Sequence, residues 1–189
     1  MAHRVKRPVY FCDERASWIV PLTRQMDATI DAQDVSAVSG YNWSAVCAGK
    51  NPPTYYAMRH ISKHGKPNYR SLQAHIMEPP DGYTVDHINQ DPLDNHRDNL
   101  RLCTLSENMG NRRSFRGSTS PFKGVSWRTK DQTWYAQICI NRHVTCIGYF
   151  DDEIEAALAY DEHARRLFGE FARLNFPVRD EALAVRQEA

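Results

Sequence analysis

The stretch YTVDHINQDPLDNHRDNLRLCTLSENMGNRR, residues 83–113, decides how this chain is read. In YTVDHIN, Tyr83, Val85 and His87 alternate with Thr84 and Asp86, the period-two pattern of a strand. QDPLDNHRDN is a polar loop rich in turn formers, and LRLCT (100–104) reads as a second short strand. Thr104 with Glu107 three residues on matches a capping box, so a helix is expected from SENMGNRR. Strand, loop, strand, helix predicts a ββα unit.

Neighbouring strand residues point to opposite faces, so Asp86 and His87 share a site only if the strand ends or bends there. The polar loop after them permits this. Hydrolysing a phosphodiester takes a base to activate water, a cation to stabilise developing charge and donors to hold the phosphate. His87 suits the base, because imidazole titrates near neutral pH. Asp86 suits Mg²⁺, which prefers oxygen ligands and keeps several waters. Asn108, in the first turn of the helix, offers a second oxygen, and the Asn99 amide can tie the loop to the backbone. Singly these are a surface pair, a turn residue and a helix cap. Their joint spacing, 12 residues from His87 to Asn99 and 9 from Asn99 to Asn108, points to a nuclease site. His96 reads as a solvated loop residue or a phosphate contact, and Asn111 as a helix-face or phosphate contact.

VDHINQDPLDNHRDNLRLCTLSENMGN resembles the HNH motif of phage and intron-encoded homing endonucleases, through Asp86-His87, Asn99-Leu100-Arg101 and Ser106-Glu107-Asn108. The resemblance implies a ββα-metal fold around one divalent cation, Mg²⁺ first and Mn²⁺ second. His87 becomes the general base, Asp86 and Asn108 the metal ligands, and Asn99 the residue that orders the loop. Asn108 stands where many relatives carry His, which favours a hard, oxygen-rich site over zinc. Tyr69 to Met77, with His75, resembles the lead-in such proteins carry.

Outward from this core, residues 1–80 read as a β-rich region that positions DNA, with strands near 18–22, 42–47 and 55–61. Asp31 with Asp34 suggests a short helix start, and SLQAHIM (71–77) another short helix, stopped by Glu78-Pro79-Pro80. Residues 114–120 are a linker. From 121 to 177 come three strand signals and one helix from about Asp152; Trp134, Ala136, Ile138 and Ile140 share one strand face. The tail is 178–189. KGVSWR, TWYAQI, GYFDDEIEAALAYD and GEFARLNFP resemble the DNA-binding domain of plant ethylene-response (Apetala-type) factors, implying a sheet laid in the major groove with a helix behind it. Ser126, Cys139, Cys146 and Gln137 depart from the plant residues, so plant sequence preference does not transfer. Gly148, Ala157, Tyr160, Gly169 and Asn175 read as fold-determining.

The formal net charge of the 189 residues is only +1, but Arg101 to Lys130 holds seven basic residues against Glu107 alone. Lys123, Arg128, Arg142, Arg101, Arg112 and Arg113 are therefore the candidate DNA contacts. The low net charge argues against a packaging protein. No apolar run reaches the length of a membrane span, and a signal peptide is not expected. Five cysteines without a C-x-x-C pair fit reduced thiols in the cytoplasm of a bacterium or infected cell. The whole reads as an α+β, metal-dependent endonuclease acting on double-stranded DNA, expected as a monomer. The competing class is a sequence-specific regulator with a silent nuclease fold.

Overall fold

The computed structural model describes residues 6–49, 52–63, 66–111, 117–141 and 143–177. The chain forms two compact units, Met1–Cys103 and Thr104–Ala189. The boundary falls inside the segment 81–113.

In the first unit, β1 (Tyr10–Cys12), β2 (Ser17–Pro21) and β3 (Asp27–Ile30) make an antiparallel meander. A 3₁₀ turn leads into α1 (Val35–Val38), followed by β4 (Ser44–Cys47), β5 (Tyr55–Lys63) and β6 (Lys66–Ser71), a second antiparallel sheet. α2 (Leu72–Met77) comes next, and β7 (Thr84–His87) pairs antiparallel with β9 (Leu100–Cys103). Between them β8 (Asp94–Asn95) adds a parallel edge to β3, with Ile30 opposite Asn95. Val20, Ala28, Ile30, Trp43, Leu72, Val85 and Leu100 meet in one apolar core, so the hairpin that carries Asp86 and His87 rests on the sheets behind it. The Trp43 indole N–H donates to the Val38 carbonyl at 3.1 Å, satisfying the one polar atom of that buried ring.

Two details differ from the sequence reading. β1, β3 and β6 are additions to that reading; β1 and β3 are too short to show a period. β8 pairs across more than sixty residues of sequence (Ile30 to Asn95), which local pattern cannot reveal. As the sequence reading has it, α2 stops before the prolines, and Glu78 turns left-handed there (φ 44°, ψ 58°).

The second unit opens with α3 (Leu105–Asn111), closed by a reciprocal capping box: the Thr104 backbone N–H donates to Glu107 Oε2 at 2.7 Å, and the Glu107 N–H to Thr104 Oγ1 at 3.3 Å. β10 (Val125–Arg128), β11 (Thr133–Ile140) and β12 (His143–Phe150) form an antiparallel sheet, and α4 (Glu153–Phe168) packs on it. Asp152 caps α4, accepting from the Glu155 N–H. Ala136, Ala156, Ala157 and Ala164 are fully buried, and their small side chains let helix and sheet approach closely. Gly124 (φ 77°) sits against Tyr160, where a Cβ would lie 2.1 Å from a ring carbon, so no other residue fits. Buried Asp161 accepts from the backbone N–H groups of Asn175 (2.7 Å) and Phe176 (2.8 Å), fastening the segment after the helix. The tail 178–189 lies outside the described residues.

Candidate functional site

Asp86 and His87 lie side by side at the end of β7, paired across the hairpin with Arg101 and Leu100. Both are buried, at 7% and 6% exposure. A buried carboxylate needs a counter-charge. Arg101 supplies it: Nε and Nη2 both donate to Asp86 Oδ2, at 3.0 and 2.9 Å. Burial pulls the His87 ring below its ordinary pKa, outweighing the Asn95 amide and the Asp86, Asp91 and Asp94 carboxylates, which push it up. The ring is therefore neutral at neutral pH, the form that accepts a proton. Its Nε2 lies 3.4 Å from Asn95 Oδ1, and the Tyr56 ring stands edge-on with centroids 6.4 Å apart.

The loop from Ile88 to Asn99 is held by its own side chains. Asn99 Oδ1 accepts from the Asn89 N–H (2.9 Å), Asn99 Nδ2 donates to the Asp94 carbonyl (2.8 Å), and the Asn99 carbonyl accepts from the Ile88 N–H (2.9 Å). Asp91 takes the Leu93 N–H at 3.0 Å. Asp94 is the hub: its carboxylate receives the His96 ring Nδ1 (2.6 Å), the Asn89 amide (2.7 Å) and the Thr29 hydroxyl (3.4 Å). Desolvation raises the Asp94 carboxyl, but the bonds from His96 and Asn89 win and leave it below its ordinary value. His96 Nε2 lies 2.9 Å from Ser17 Oγ. The His96 ring thus bridges Asp94 of the loop to Ser17 of β2. Arg97 fastens the other flank, through Asp34 (2.7 Å) and, by its N–H, Asp31 (2.7 Å). An open groove lined by Ile88, Asp94, His96, Asp98 and Asn99 runs beside this loop.

The remaining candidates lie elsewhere. His75 is held against the Tyr41 and Trp43 rings and bonds the Ala37 carbonyl at 3.1 Å, a packing role. In the second unit, Asn108 lies on α3 and Asn111 is buried at its end. Lys123 donates to the Gly110 carbonyl, and burial first, then the Arg173 charge, brings its pKa down to about 8 against the pull of Asp161. Arg128 faces outward on the sheet, bonding the Tyr149 hydroxyl (2.8 Å) and Asp131 (3.2 Å), with the Tyr135 ring within 5.5 Å. Arg112, Arg113 and Arg142 fall outside the described residues.

Among the described residues no three His, Cys, Asp or Glu side chains gather into a metal cage. The Asp86 carboxylate is an oxygen donor, a type that suits a hard cation keeping most of its water better than it suits zinc. Sequence reasoning missed Asn95, which is fully buried, and the pairing of Arg101 with Asp86. The signal for the second was the antiparallel register itself, which sets Arg101 opposite Asp86.

A family model described as HNH endonuclease matches residues 78–110. Protein 3.8 of Escherichia phage T7 is 33% identical over 97 residues, covering 50% of this chain and 77% of that protein. The Uncharacterized HNH endonuclease L560 of Acanthamoeba polyphaga mimivirus is 33% identical over 141 residues, covering 73% of this chain and 68% of the relative. No solved structure matches. Among the described residues no helix is long and apolar enough to cross a membrane.

Proposed function

The chain belongs to the HNH endonuclease family, and from that premise we propose that it hydrolyses phosphodiester bonds of double-stranded DNA with His87 as general base and a divalent cation as cofactor. The observation that carries the reading is the buried, neutral His87 beside the Asp86 carboxylate. His87 takes the proton of the attacking water. Asp86 supplies a carboxylate oxygen for Mg²⁺ or Mn²⁺, and Asn108 is the further oxygen donor that the family resemblance assigns. When bound, such a cation stabilises charge on the phosphate and on the departing 3′-oxygen. Arg101 holds the Asp86 carboxylate in place from β9, and Asn99 keeps the loop closed over the hairpin. The family resemblance assigns the ββα-metal element to the segment 81–113.

We assign sequence reading to the second unit, as an ethylene-response-like domain. Its outward sheet face carries Arg128 beside Tyr135 and Tyr149, a cation framed by aromatic rings, which suits contact with phosphates and base edges. Arg112, Arg113 and Arg142 would add positive charge along the same chain segment.

The test is to incubate a panel of plasmid and phage DNA with the protein and Mg²⁺ or Mn²⁺, beside His87→Ala. Cleavage that needs both metal and His87 is expected, with a loss of roughly 10²- to 10⁴-fold in the variant. Tight, specific binding with no cleavage across the panel would instead make the protein a regulator.

A further inference from the structure

We propose that the second unit reads A·T pairs in the major groove of DNA: Gln137 takes an adenine edge, and Val144 with Cys139 covers the methyl group of a neighbouring thymine. The inference rests on the reading of this unit as a sequence-reading domain, and it adds which base pairs are read.

The reading face follows from the strand register. Ala136 and Ile138 are buried among side chains of α4, so alternation turns Gln137 and Cys139 to the opposite side of β11. On β12, Cys146 stands opposite Gln137 and Val144 opposite Cys139, which makes Val144 the diagonal neighbour of Gln137. Arg128 and the Tyr149 hydroxyl, 2.8 Å apart, occupy the other end of this face. From Gln137 to the turn between β11 and β12, the outward positions are thus an amide, two thiols and a valine, with no charged side chain among them.

Each base edge asks for a different partner. Guanine is most often read by a basic fork on O6 and N7, and cytosine N4 calls for a carboxylate; these positions offer neither. A side-chain amide carries a donor and an acceptor together, the pattern that matches adenine N7 and N6. The backbone N–H of Gln137 is engaged at the Gly124 carbonyl (2.8 Å), whereas its side-chain amide meets no partner among the described residues. Val144 is 61% exposed, and the thiols of Cys139 and exposed Cys146 beside it behave as small, weakly polar groups. The thymine methyl is the apolar group that an unmodified base pair displays in the major groove. Set against it, Val144 and the methyl both leave water; set against a guanine edge, Val144 would desolvate two acceptors and return nothing to them.

The experiment is selection of duplexes from a random-sequence library by the full chain, without divalent metal so that no strand is cut. A short A·T element is expected in the bound pool. On that element, deoxyuridine in place of thymine removes only the methyl group and should weaken binding about fourfold per contacted methyl. Adenine replaced by 7-deazaadenine loses the N7 acceptor and should weaken it roughly 5- to 150-fold. Gln137→Glu should change the selected base at one position from adenine to cytosine, because a carboxylate accepts from cytosine N4. Val144→Ser should abolish the discrimination between thymine and uracil. A wild-type element rich in G·C overturns the proposal, and so does an A·T element whose modified duplexes bind like the parent; neither result needs a variant to fold. A folded Gln137→Glu that selects the same bases as wild type overturns it as well. If the chain binds duplexes with no common element, the base assignment fails while DNA binding stands. If it binds no duplex at all, the sequence-reading assignment of the second unit fails, and the proposal with it.

Discussion

In the loop between His87 and Leu100, Asn89, Asp91, Asp94, His96 and Asn99 each bond inside the loop or to the strands beside it. Between β11 and α4 the contact is alanine on sheet, with the Asp161 carboxylate buried on the helix. Two aspartates show the consequence. Asp94 collects several donors, and its carboxyl falls below the ordinary value. Asp161 is driven the other way: desolvation raises it, and the Asn175 and Phe176 N–H bonds only partly offset this. A network of directional bonds fixes angles, so losing a member there costs geometry before it costs stability. An apolar seam fixes volume, so damage there costs stability first. The first unit holds its chemistry by the former means and the second its sheet by the latter.

The largest expected effect is at the seam. Asp161→Ala leaves two N–H donors of the closing segment without acceptors, at about 1–3 kcal/mol each. Urea unfolding of the second unit should show a loss of about 2 kcal/mol or more; a change under about half a kcal/mol would mean that water or the backbone replaces the carboxylate at no cost. The loop comes next. Asn99→Ala removes the acceptor of the Asn89 N–H and the donor to the Asp94 carbonyl. Cleavage should fall at least about tenfold while stability drops by only about 1–2 kcal/mol. Equal losses in both readouts would break the contrast between the regions.

The pH dependence should carry opposite signs. Asp94 has a depressed folded pKa, so its contribution to stability is present above the ordinary carboxyl range and is lost as pH falls through the folded value. Asp161 has a raised one, so its contribution is present at low pH and lost as pH rises through the folded value. Unfolding midpoints measured against pH for Asp94→Asn and for Asp161→Asn, each against wild type, should diverge in opposite directions.

The same contrast explains what could be read from sequence. The strands near Trp18, Ala45 and Ala57, the hairpin at Asp86 and Arg101, the capping box at Thr104 and the alternation of Trp134 to Ile140 are local patterns, and local patterns were legible. Asn95 was not, because its burial depends on a parallel pairing with Ile30 far away in sequence. His96 could be read as a solvated loop residue or a phosphate contact, since nothing in the run DNHRDN tells that its ring nitrogens meet Asp94 and Ser17. Lys123 looked like a surface cation because motifs record residue type and not depth.

Depth sets the smallest effect and separates two cations that the sequence treats alike. Arg128 is exposed, hydrogen-bonded to a hydroxyl and ion-paired with a surface carboxylate, partners that it can leave for a phosphate. Lys123 donates to the Gly110 carbonyl at the end of α3, beside a glycine whose Cβ would lie 2.8 Å from the Phe168 ring. Moving the ammonium to a phosphate would abandon that carbonyl and loosen the seat of α3. Arg128→Ala should therefore lower the slope of log affinity against log salt by about 1 with the fold intact. Lys123→Ala should lower the unfolding temperature and leave the slope unchanged. Filter-binding titrations of one duplex at several salt concentrations, beside thermal melts, decide it. A reduced slope for Lys123→Ala would return that lysine to the DNA surface and move the line between the pinned interior and the reading face of the second unit.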